Sequence, residues 1–316
     1  MIDTFGRKIT YLRLSVTDLC NLRCRYCMPL GVPKKSHDQM LTQEEMVQAV
    51  AVAAELGIQK LRITGGEPLL KKNILSICEA LSSINGIEEL SMTTNGILLP
   101  ALAKDLVRCG VERINISLDT LDAKKYRDMT QNGELADALN GLHAALAAGF
   151  SKVKINVVLI GGFNDDEIRD FAKLTQEYPV DVRFIELMPM EAARAFPKHA
   201  FVSAEAVLET LRGEITLEKT DGVAQLYRME GARGSIGLIR PVSKMFCATC
   251  NRLRLTADGR IKPCLHDGYE IPIKGMDREE MRKAFETAAA FKPEKHGELS
   301  CACISRAGRS MNEIGG

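Results

Sequence analysis

The stretch YLRLSVTDLCNLRCRYC, residues 11–27, joins a strand-like run to a loop that carries three cysteines. Residues 11–17 alternate apolar and polar side chains, which is typical of a β-strand with one face in a core. Cys20, Cys24 and Cys27 follow directly, with the spacing C-x3-C-x2-C. Three is an odd number for a disulfide framework and one ligand short of a closed metal site. The unit therefore predicts a strand whose carboxyl end presents three thiols.

Five further strand-like runs repeat this pattern, with amphipathic stretches between them. They are KLRITGG (60–66), EELSMTTNG (88–96), ERINISLD (112–119), KVKINVVLI (152–160) and DVRFIELM (181–188). Thr42 and Glu45 have the spacing of a helix capping box, and helical periodicity recurs over 98–108, 135–148 and 167–175. Alternating βα units fit a doubly wound sheet or a barrel, and six units instead of eight predict an incomplete (βα)6 barrel of the TIM type.

The pattern changes after about residue 190. We therefore expect a partial barrel over 1–190 and a C-terminal α+β module over 191–316 that packs on the sheet. In the module, residues 202–211 and 277–291 are helix-like, while AQLYRM and SIGLI are strand-like.

The amino-acid composition is typical of a globular protein with a large core. The chain has 316 residues, 46% of them hydrophobic, and 42 basic against 41 acidic side chains. This balance gives no indication of a nucleic-acid or membrane surface. We expect a cytoplasmic protein, because the N-terminus has no apolar signal segment and no apolar run approaches the roughly 20 residues of a membrane span.

A second group of cysteines lies near the C-terminus: Cys247, Cys250 and Cys264. Without a secretion signal, such thiols indicate metal or cluster ligands more than disulfides. Cys264 with His266 could complete a Cys3His zinc site, so these residues alone favour zinc and iron-sulfur equally. Cys301 and Cys303 could each supply a fourth ligand instead.

Polar or permissive residues end several of the predicted strands. Gly65, Gly66 and Glu67 follow the second strand, and Ser117 ends the fourth. The carboxyl ends of parallel strands meet on one face, so we expect these residues to converge. The glycines permit close backbone approach to a ligand, and Glu67 offers an acceptor for an amine. Taken alone, GGEP at 65–68 is more typical of a turn with a solvated carboxylate.

Several cations alternate with apolar neighbours on the predicted strands. Arg13, Arg62 and Lys154 could point into a barrel, where a charge is costly unless it is paired or ligand-bound. Arg252 and Arg254 share a side if their stretch is extended. Clustered cations suit a polyphosphate, although each one singly fits an exposed edge or a salt bridge better.

The first cysteine loop resembles the signature of the radical S-adenosylmethionine (SAM) enzymes. The residues that carry this resemblance are Cys20, Cys24, Tyr26, Cys27, Met28 and Pro29. More narrowly, GGEP, the second cysteine group, NRLR at 251–254 and the terminal Gly315-Gly316 resemble the GTP 3',8-cyclase family of molybdenum-cofactor biosynthesis. The similarity runs over nearly the whole chain.

The resemblance implies two [4Fe-4S] clusters, each held by three thiolates with one open iron. SAM would bind the first open iron, and the second would face GTP. SAM cleavage would give a 5'-deoxyadenosyl radical that takes hydrogen from C3' of GTP. Attack on C8 of guanine and reduction would then give (8S)-3',8-cyclo-7,8-dihydro-GTP.

The resemblance also implies roles for individual residues. The expected SAM site comprises Tyr26, Gly65, Gly66, Glu67, Ser117 and Met188. The expected GTP site comprises Arg13, Arg62, Thr93, Lys154, Arg252, Leu253 and Arg254. Gly315 and Gly316 would thread into the active site, where a tail arginine, Arg306 or Arg309, would assist SAM cleavage.

The expected partners are an electron donor such as flavodoxin or ferredoxin and the downstream cyclic pyranopterin monophosphate synthase, with the chain as a monomer or a homodimer. Two other interpretations stay open. One is a radical SAM enzyme that modifies a peptide and uses the second cluster as an auxiliary group. The other is a non-catalytic binding module stabilised by zinc.

Overall fold

The structure, a computed structural model, describes residues 1–28 and 36–315. Its strands are β1 (Tyr11–Ser15), β2 (Lys60–Thr64), β3 (Glu89–Thr94), β4 (Arg113–Ser117), β5 (Lys152–Leu159), β6 (Val180–Glu186), β7 (Ile215–Asp221), β8 (Ala224–Met229), β9 (Ile236–Ile239), β10 (Arg252–Leu255), β11 (Arg260–Lys262) and β12 (Ile271–Pro272). Its helices are α1 (Gln43–Glu55), α2 (Ile74–Ser82), α3 (Leu99–Arg108), α4 (Ala123–Thr130), α5 (Leu135–Ala148), α6 (Ile168–Glu177), α7 (Glu205–Thr210), α8 (Arg278–Ala290) and α9 (Met311–Ile314). Pro29 and Gly316 lie outside the described residues.

The six predicted strands form the centre of the sheet in sequence order. Strands β1 to β6 are parallel neighbours, each paired with the next. Helices lie in every connection between them, since a parallel pair needs a crossover. The prediction of an incomplete (βα)6 barrel is confirmed.

The C-terminal part continues this sheet at both edges, where we had expected it to pack on the sheet. β10 pairs in parallel with β1, and β9 pairs in parallel with β6. Antiparallel strands then complete the order β12-β11-β10-β1-β2-β3-β4-β5-β6-β9-β8-β7. The physical reason is that an open partial barrel has two edges of unpaired backbone groups, which further strands satisfy. The predicted segments around α7, α8, β8 and β9 are present.

The hydrophobic core lies between the sheet and its helices. On β1, Leu12 and Leu14 are fully buried against the helices, while Arg13 lies between them and faces the barrel interior. The predicted capping box is present, because Glu45 N–H donates to Thr42 Oγ1 (3.2 Å) and Thr42 N–H donates to Glu45 Oε2 (2.8 Å). Across the described residues, no helix combines the length and apolar character of a membrane span.

Helix α5 approaches the β3–α3 connection so closely that only glycine fits at Gly141. A Cβ there would lie 2.0 Å from the carbonyl oxygen of Gly96. Alanine favours a helix by about 1 kcal/mol relative to glycine, but overpacking against a backbone atom costs about 1–3 kcal/mol.

We therefore expect Gly141→Ala to lower the free energy of unfolding, as measured by urea titration. Gly297→Ala is the control, because a Cβ there meets no atom within 4 Å. Equal or greater stability of Gly141→Ala would contradict the close contact.

Candidate active site

The GGEP turn holds the first cysteine loop in place. Gly66 N–H donates to Thr17 O and Glu67 N–H donates to Leu19 O, both at 2.7 Å. A Cβ on Gly65 would lie 2.6 Å from Thr17 O, and one on Gly66 would lie 2.2 Å from Leu19 O. The close approach predicted for these glycines is therefore made first of all by the chain's own cysteine loop.

The Glu67 carboxylate joins the ends of β2 and β3. It is buried and accepts hydrogen bonds from Leu69 N–H (3.0 Å), Thr94 Oγ1 (2.7 Å) and Asn95 N–H (2.7 Å). Burial raises the pKa of Glu67 to about 7. These contacts give the residue a clear positioning role beside the predicted SAM site, and its contact with an amine stays a prediction.

The three cysteines of the first loop are brought together after β1. Burial, and then the charge of Cys27, raise the pKa of Cys24 well above its usual value. Burial and the charge of Cys20 raise the pKa of Cys27 to about 12. Three thiolates this close repel one another, so the donor set suits a cationic iron-sulfur core that accepts thiolates.

A small cavity opens beside these thiols and gathers residues of the predicted SAM site. Cys24, Tyr26, Ser117 and Asp119 are among its lining residues. Asp119 accepts hydrogen bonds from the Tyr26 hydroxyl and from Val158 N–H, each at 2.8 Å, and burial raises the pKa of Asp119 to about 6. The tyrosine of the cysteine motif is thereby fixed to the end of the barrel.

A row of arginines crosses three neighbouring strands. Arg13 on β1 is in register with Arg62 on β2 and with Arg254 on β10. Burial, and then repulsion from Arg254, lower the pKa of Arg13 well below its usual value. Burial and repulsion from Arg252 lower the pKa of Arg254 to about 10. Such crowding is costly without an anion, so the row has the character of a polyanion site.

Lys154 and Arg183 add two cations from the facing strands β5 and β6. Burial, and then Arg183 and Arg62, lower the pKa of Lys154 to about 7. The predicted substrate residue Thr93 lies beside Arg62 and accepts a 3.5 Å hydrogen bond from its Nη1. Arg183 is not among the predicted substrate residues, although it alternates with apolar residues on its strand just as Arg13 does.

Several polar atoms in the barrel are buried without a hydrogen-bond partner among the residues that the structure describes. They are Arg62 Nε, Arg183 Nε, Asn115 Oδ1 and Asn156 Oδ1. Buried polar groups are normally paired, so these donors and acceptors fit a bound polar ligand.

Leu253 lies on the opposite side of β10 from its arginine neighbours. Its side chain is fully buried in the hydrophobic core. Only the main chain of Leu253 can therefore serve the predicted GTP site. Arg252 and Arg254 do share a side, as the extended interpretation required.

The C-terminal tail enters the barrel between the arginine row and the cysteine loop. Gly315 has φ = 83°, and a Cβ there would lie 2.3 Å from Thr64 Oγ1. Its carbonyl accepts a hydrogen bond from Arg254, while the side chain of Asn312 donates to Asp18 O at 3.1 Å. Glycine is thus sterically required at position 315.

The tail arginines have different surroundings. Arg309 is held by Asp258 (2.9 Å) and Glu270 (2.7 Å), which anchor the start of the tail. Arg306 is exposed. The role of either one in SAM cleavage stays a prediction. Met188, predicted to contact SAM, lies against a small apolar cluster that includes Ile314 of the tail.

The second cysteine group lies at the start of β10 and after β11. Burial raises the pKa of Cys250, but the charges of Lys292 and Arg252 outweigh it and leave this pKa below its usual value. The charge of Lys292 also lowers the pKa values of Cys247 and Cys264 relative to the effect of burial alone. A buried cation beside three thiols fits a net negative cluster.

The other candidate ligands of this second group are placed differently from its cysteines. His266 Nδ1 contacts Ser305 Oγ at 3.0 Å, and Cys301 and Cys303 are exposed. Within residues 1–28 and 36–315, no three His, Cys, Asp or Glu side chains surround a single metal-ion position. A cubane needs no such arrangement, because its thiolates bind separate irons.

Comparison with known proteins identifies the family. The model of the radical SAM superfamily matches residues 14–175, and that of Molybdenum Cofactor Synthesis C matches residues 180–298. GTP 3',8-cyclases from Alkaliphilus oremlandii and Moorella thermoacetica are 45% and 48% identical to this chain, with complete coverage of both chains in each case. The chain belongs to the GTP 3',8-cyclase family.

Two solved structures share the fold of this cyclase-family chain. Native anSMEcpe with bound AdoMet has a TM-score of 0.62 at 15% identity, covering 97% of this chain and 93% of its own. Streptococcus suis SuiB bound to S-adenosylmethionine has a TM-score of 0.60 at 14% identity, covering 86% and 62%. At this identity the likeness concerns the fold alone.

The low pKa of Lys154 makes stability depend on pH. Its pKa is about 7 in the folded state against 10.5 ordinarily, so the unfolded state binds more protons between these values. The Lys154 contribution to stability therefore rises as pH increases through about 7, by at most about 1.4 kcal/mol per pH unit.

We expect Lys154→Met to be more stable than wild type at pH 6 without GTP, with the advantage shrinking by pH 9. Urea unfolding across this range measures it. Lys60→Met is the control, because that side chain is 51% exposed. A pH-independent difference for Lys154→Met would contradict a buried, neutralised lysine.

The fit of Gly315 against Thr64 makes the tail sensitive to one added carbon. We expect Gly315→Ala to reduce GTP-dependent SAM cleavage at least tenfold, because its Cβ would displace the tail from the barrel. Gly308→Ala is a matched control, since Gly308 also has a positive φ (70°) but has open space around it. Equal losses in both variants would show that backbone strain, and not packing, is responsible.

Proposed function

We propose that this chain converts GTP to (8S)-3',8-cyclo-7,8-dihydro-GTP, the first step of molybdenum-cofactor biosynthesis, as a radical SAM lyase. The observation that carries the proposal is the position of the buried arginine row between two groups of three thiols. Arg13 and Arg254 are direct neighbours across β1 and β10, and each strand lies next to one of the cysteine groups.

The first cysteine group and the cavity beside it would hold the cofactor. Cys20, Cys24 and Cys27 would bind a [4Fe-4S] cluster, and Tyr26 and Ser117 would contact SAM. When bound, the cluster and SAM supply the one-electron cleavage chemistry that begins the reaction. The chain contributes a fixed loop, because the GGEP turn and Asp119 hold the cysteine motif at the strand ends.

The cation cluster would bind the triphosphate. Arg13, Arg62, Arg254 and Lys154 repel one another when empty, so an anion relieves a cost that the folded barrel already carries. GTP binding would return Lys154 to its charged form. Thr93 adds a hydroxyl next to Arg62, and the buried Asn115 and Asn156 offer acceptors for polar groups of the nucleoside.

The second cysteine group would orient the other end of the substrate. Cys247, Cys250 and Cys264 would hold a second [4Fe-4S] cluster, and Arg252 and the Leu253 main chain would line the approach to it. The tail would close the site at Gly315 and keep water from reactive species.

The chemistry also defines the partners. SAM cleavage needs an external electron, so a low-potential donor such as flavodoxin or ferredoxin must dock, and the product passes to cyclic pyranopterin monophosphate synthase. Free thiols at two cluster sites need a reducing compartment, which favours the cytoplasm. The electron donor, the downstream synthase and the cytoplasmic location are proposed in addition to the GTP substrate.

Hydrogen transfer from GTP tests the reaction. With [3'-²H]GTP, SAM and dithionite under anaerobic conditions, we expect deuterium in 5'-deoxyadenosine by mass spectrometry, together with the cyclised nucleotide. Cys24→Ser should lower this transfer at least a hundredfold. Cys109→Ser should leave it within twofold, because Cys109 caps α3.

SAM cleavage without deuterium transfer would contradict the assignment of GTP as the substrate. It would favour the peptide-modifying interpretation instead. Full activity of Cys24→Ser would contradict the cluster ligands.

A further inference from the structure

Lys292 is a buried ammonium with an unusual set of partners. The residue is 3% exposed and lies just after α8. Its Nζ donates to the carbonyl oxygens of Arg252 (2.8 Å) and Pro263 (2.7 Å). Neither of these two acceptors is a carboxylate. A buried charge without a counterion is costly, so its position calls for a negative group.

The thiols of the second cysteine group are that negative group. Pro263 immediately precedes Cys264, and Arg252 follows Cys250 by two residues. The charge of Lys292 also acts on all three of these thiols, second to burial at Cys250 and behind His296 at Cys247. One ammonium therefore joins the two segments that carry these cysteines.

The segment around Lys292 is itself held rigidly. Arg7, paired with Asp3 at 2.5 Å, donates to Pro293 O (2.7 Å), Glu294 O (2.9 Å) and Cys247 O (2.8 Å). The backbone that follows Lys292 is therefore anchored to the same arginine as the backbone of Cys247. The charge of Lys292 is fixed with respect to the thiols.

We propose that Lys292 is the built-in counterion of the second cluster, a positioning residue that holds its cysteine segments and raises its reduction potential. The inference rests on the proposed second cluster at Cys247, Cys250 and Cys264. A cubane with three thiolates has a net negative charge that grows on reduction, so a fixed cation stabilises the reduced form more.

The test compares charge with hydrogen bonding at this position. Lys292→Gln keeps a neutral donor, and Lys292→Arg keeps the charge. Anaerobic, full-length, cluster-loaded protein is titrated with dithionite and followed by electron paramagnetic resonance. The paramagnetic signal that SAM does not perturb is assigned to the second cluster. In Lys292→Gln, we expect the equilibrium constant for reduction of the second cluster to fall at least tenfold. This corresponds to a reduction potential about 59 mV lower for a one-electron couple.

Two variants make the result specific. Lys292→Arg should stay within threefold of wild type. Lys295→Gln, on the exposed side of the same segment, should be unchanged. The first cluster's SAM-sensitive signal should be the same in all variants, which also shows that they fold.

An unchanged equilibrium in Lys292→Gln with full iron content would overturn the proposal. Failure of both Lys292 variants to hold the second cluster, with the first retained, would also overturn it, because the residue would then only support the fold. Absence of the second signal from wild type would instead overturn the cluster assignment in the proposed function.

Discussion

The docking of the cysteine loop onto the GGEP turn is the contact on which the rest of the site depends. Two backbone hydrogen bonds from Gly66 and Glu67 tie the loop after β1 to the loop after β2, and neither glycine has room for a side chain. The buried Glu67 then extends the connection to β3. Three strand ends are thereby fixed to one another before any ligand binds, which is the pre-organisation that a reactive site needs.

The interior of the barrel is electrostatically unfavourable in the absence of ligand. Burial lowers the pKa values of four cations in the barrel, and a neighbouring arginine lowers each of them further: Arg13, Arg254, Lys154 and Arg183. The hydrophobic core on the other face of the same strands offsets this cost. Successive residues of one strand therefore have opposite effects on stability. The apolar residues stabilise the fold, while the cations between them destabilise it and favour substrate binding.

Much of this arrangement follows from local sequence patterns. Six strands, the Thr42 capping box and the shared side of Arg252 and Arg254 could be predicted, because periodicity and spacing determine them. The pairing of β10 with β1 could not, because residues 241 positions apart are brought together only by the closure of the sheet. Arg183 and the buried side chain of Leu253 are different, because strand alternation, a local pattern, places the first in the barrel and the second in the core.

The continuous sheet has a consequence for how this protein can vary. Strands from the C-terminal part pair with both outer strands of the six-stranded centre, β1 and β6. Neither half of the chain therefore forms a complete sheet by itself. Separating the halves would leave two strand edges with unpaired backbone groups, and such edges promote self-association. Exchange of one half for that of a related protein would succeed only where the pairing strands kept their length and register. We therefore expect the two cysteine groups to be inherited together.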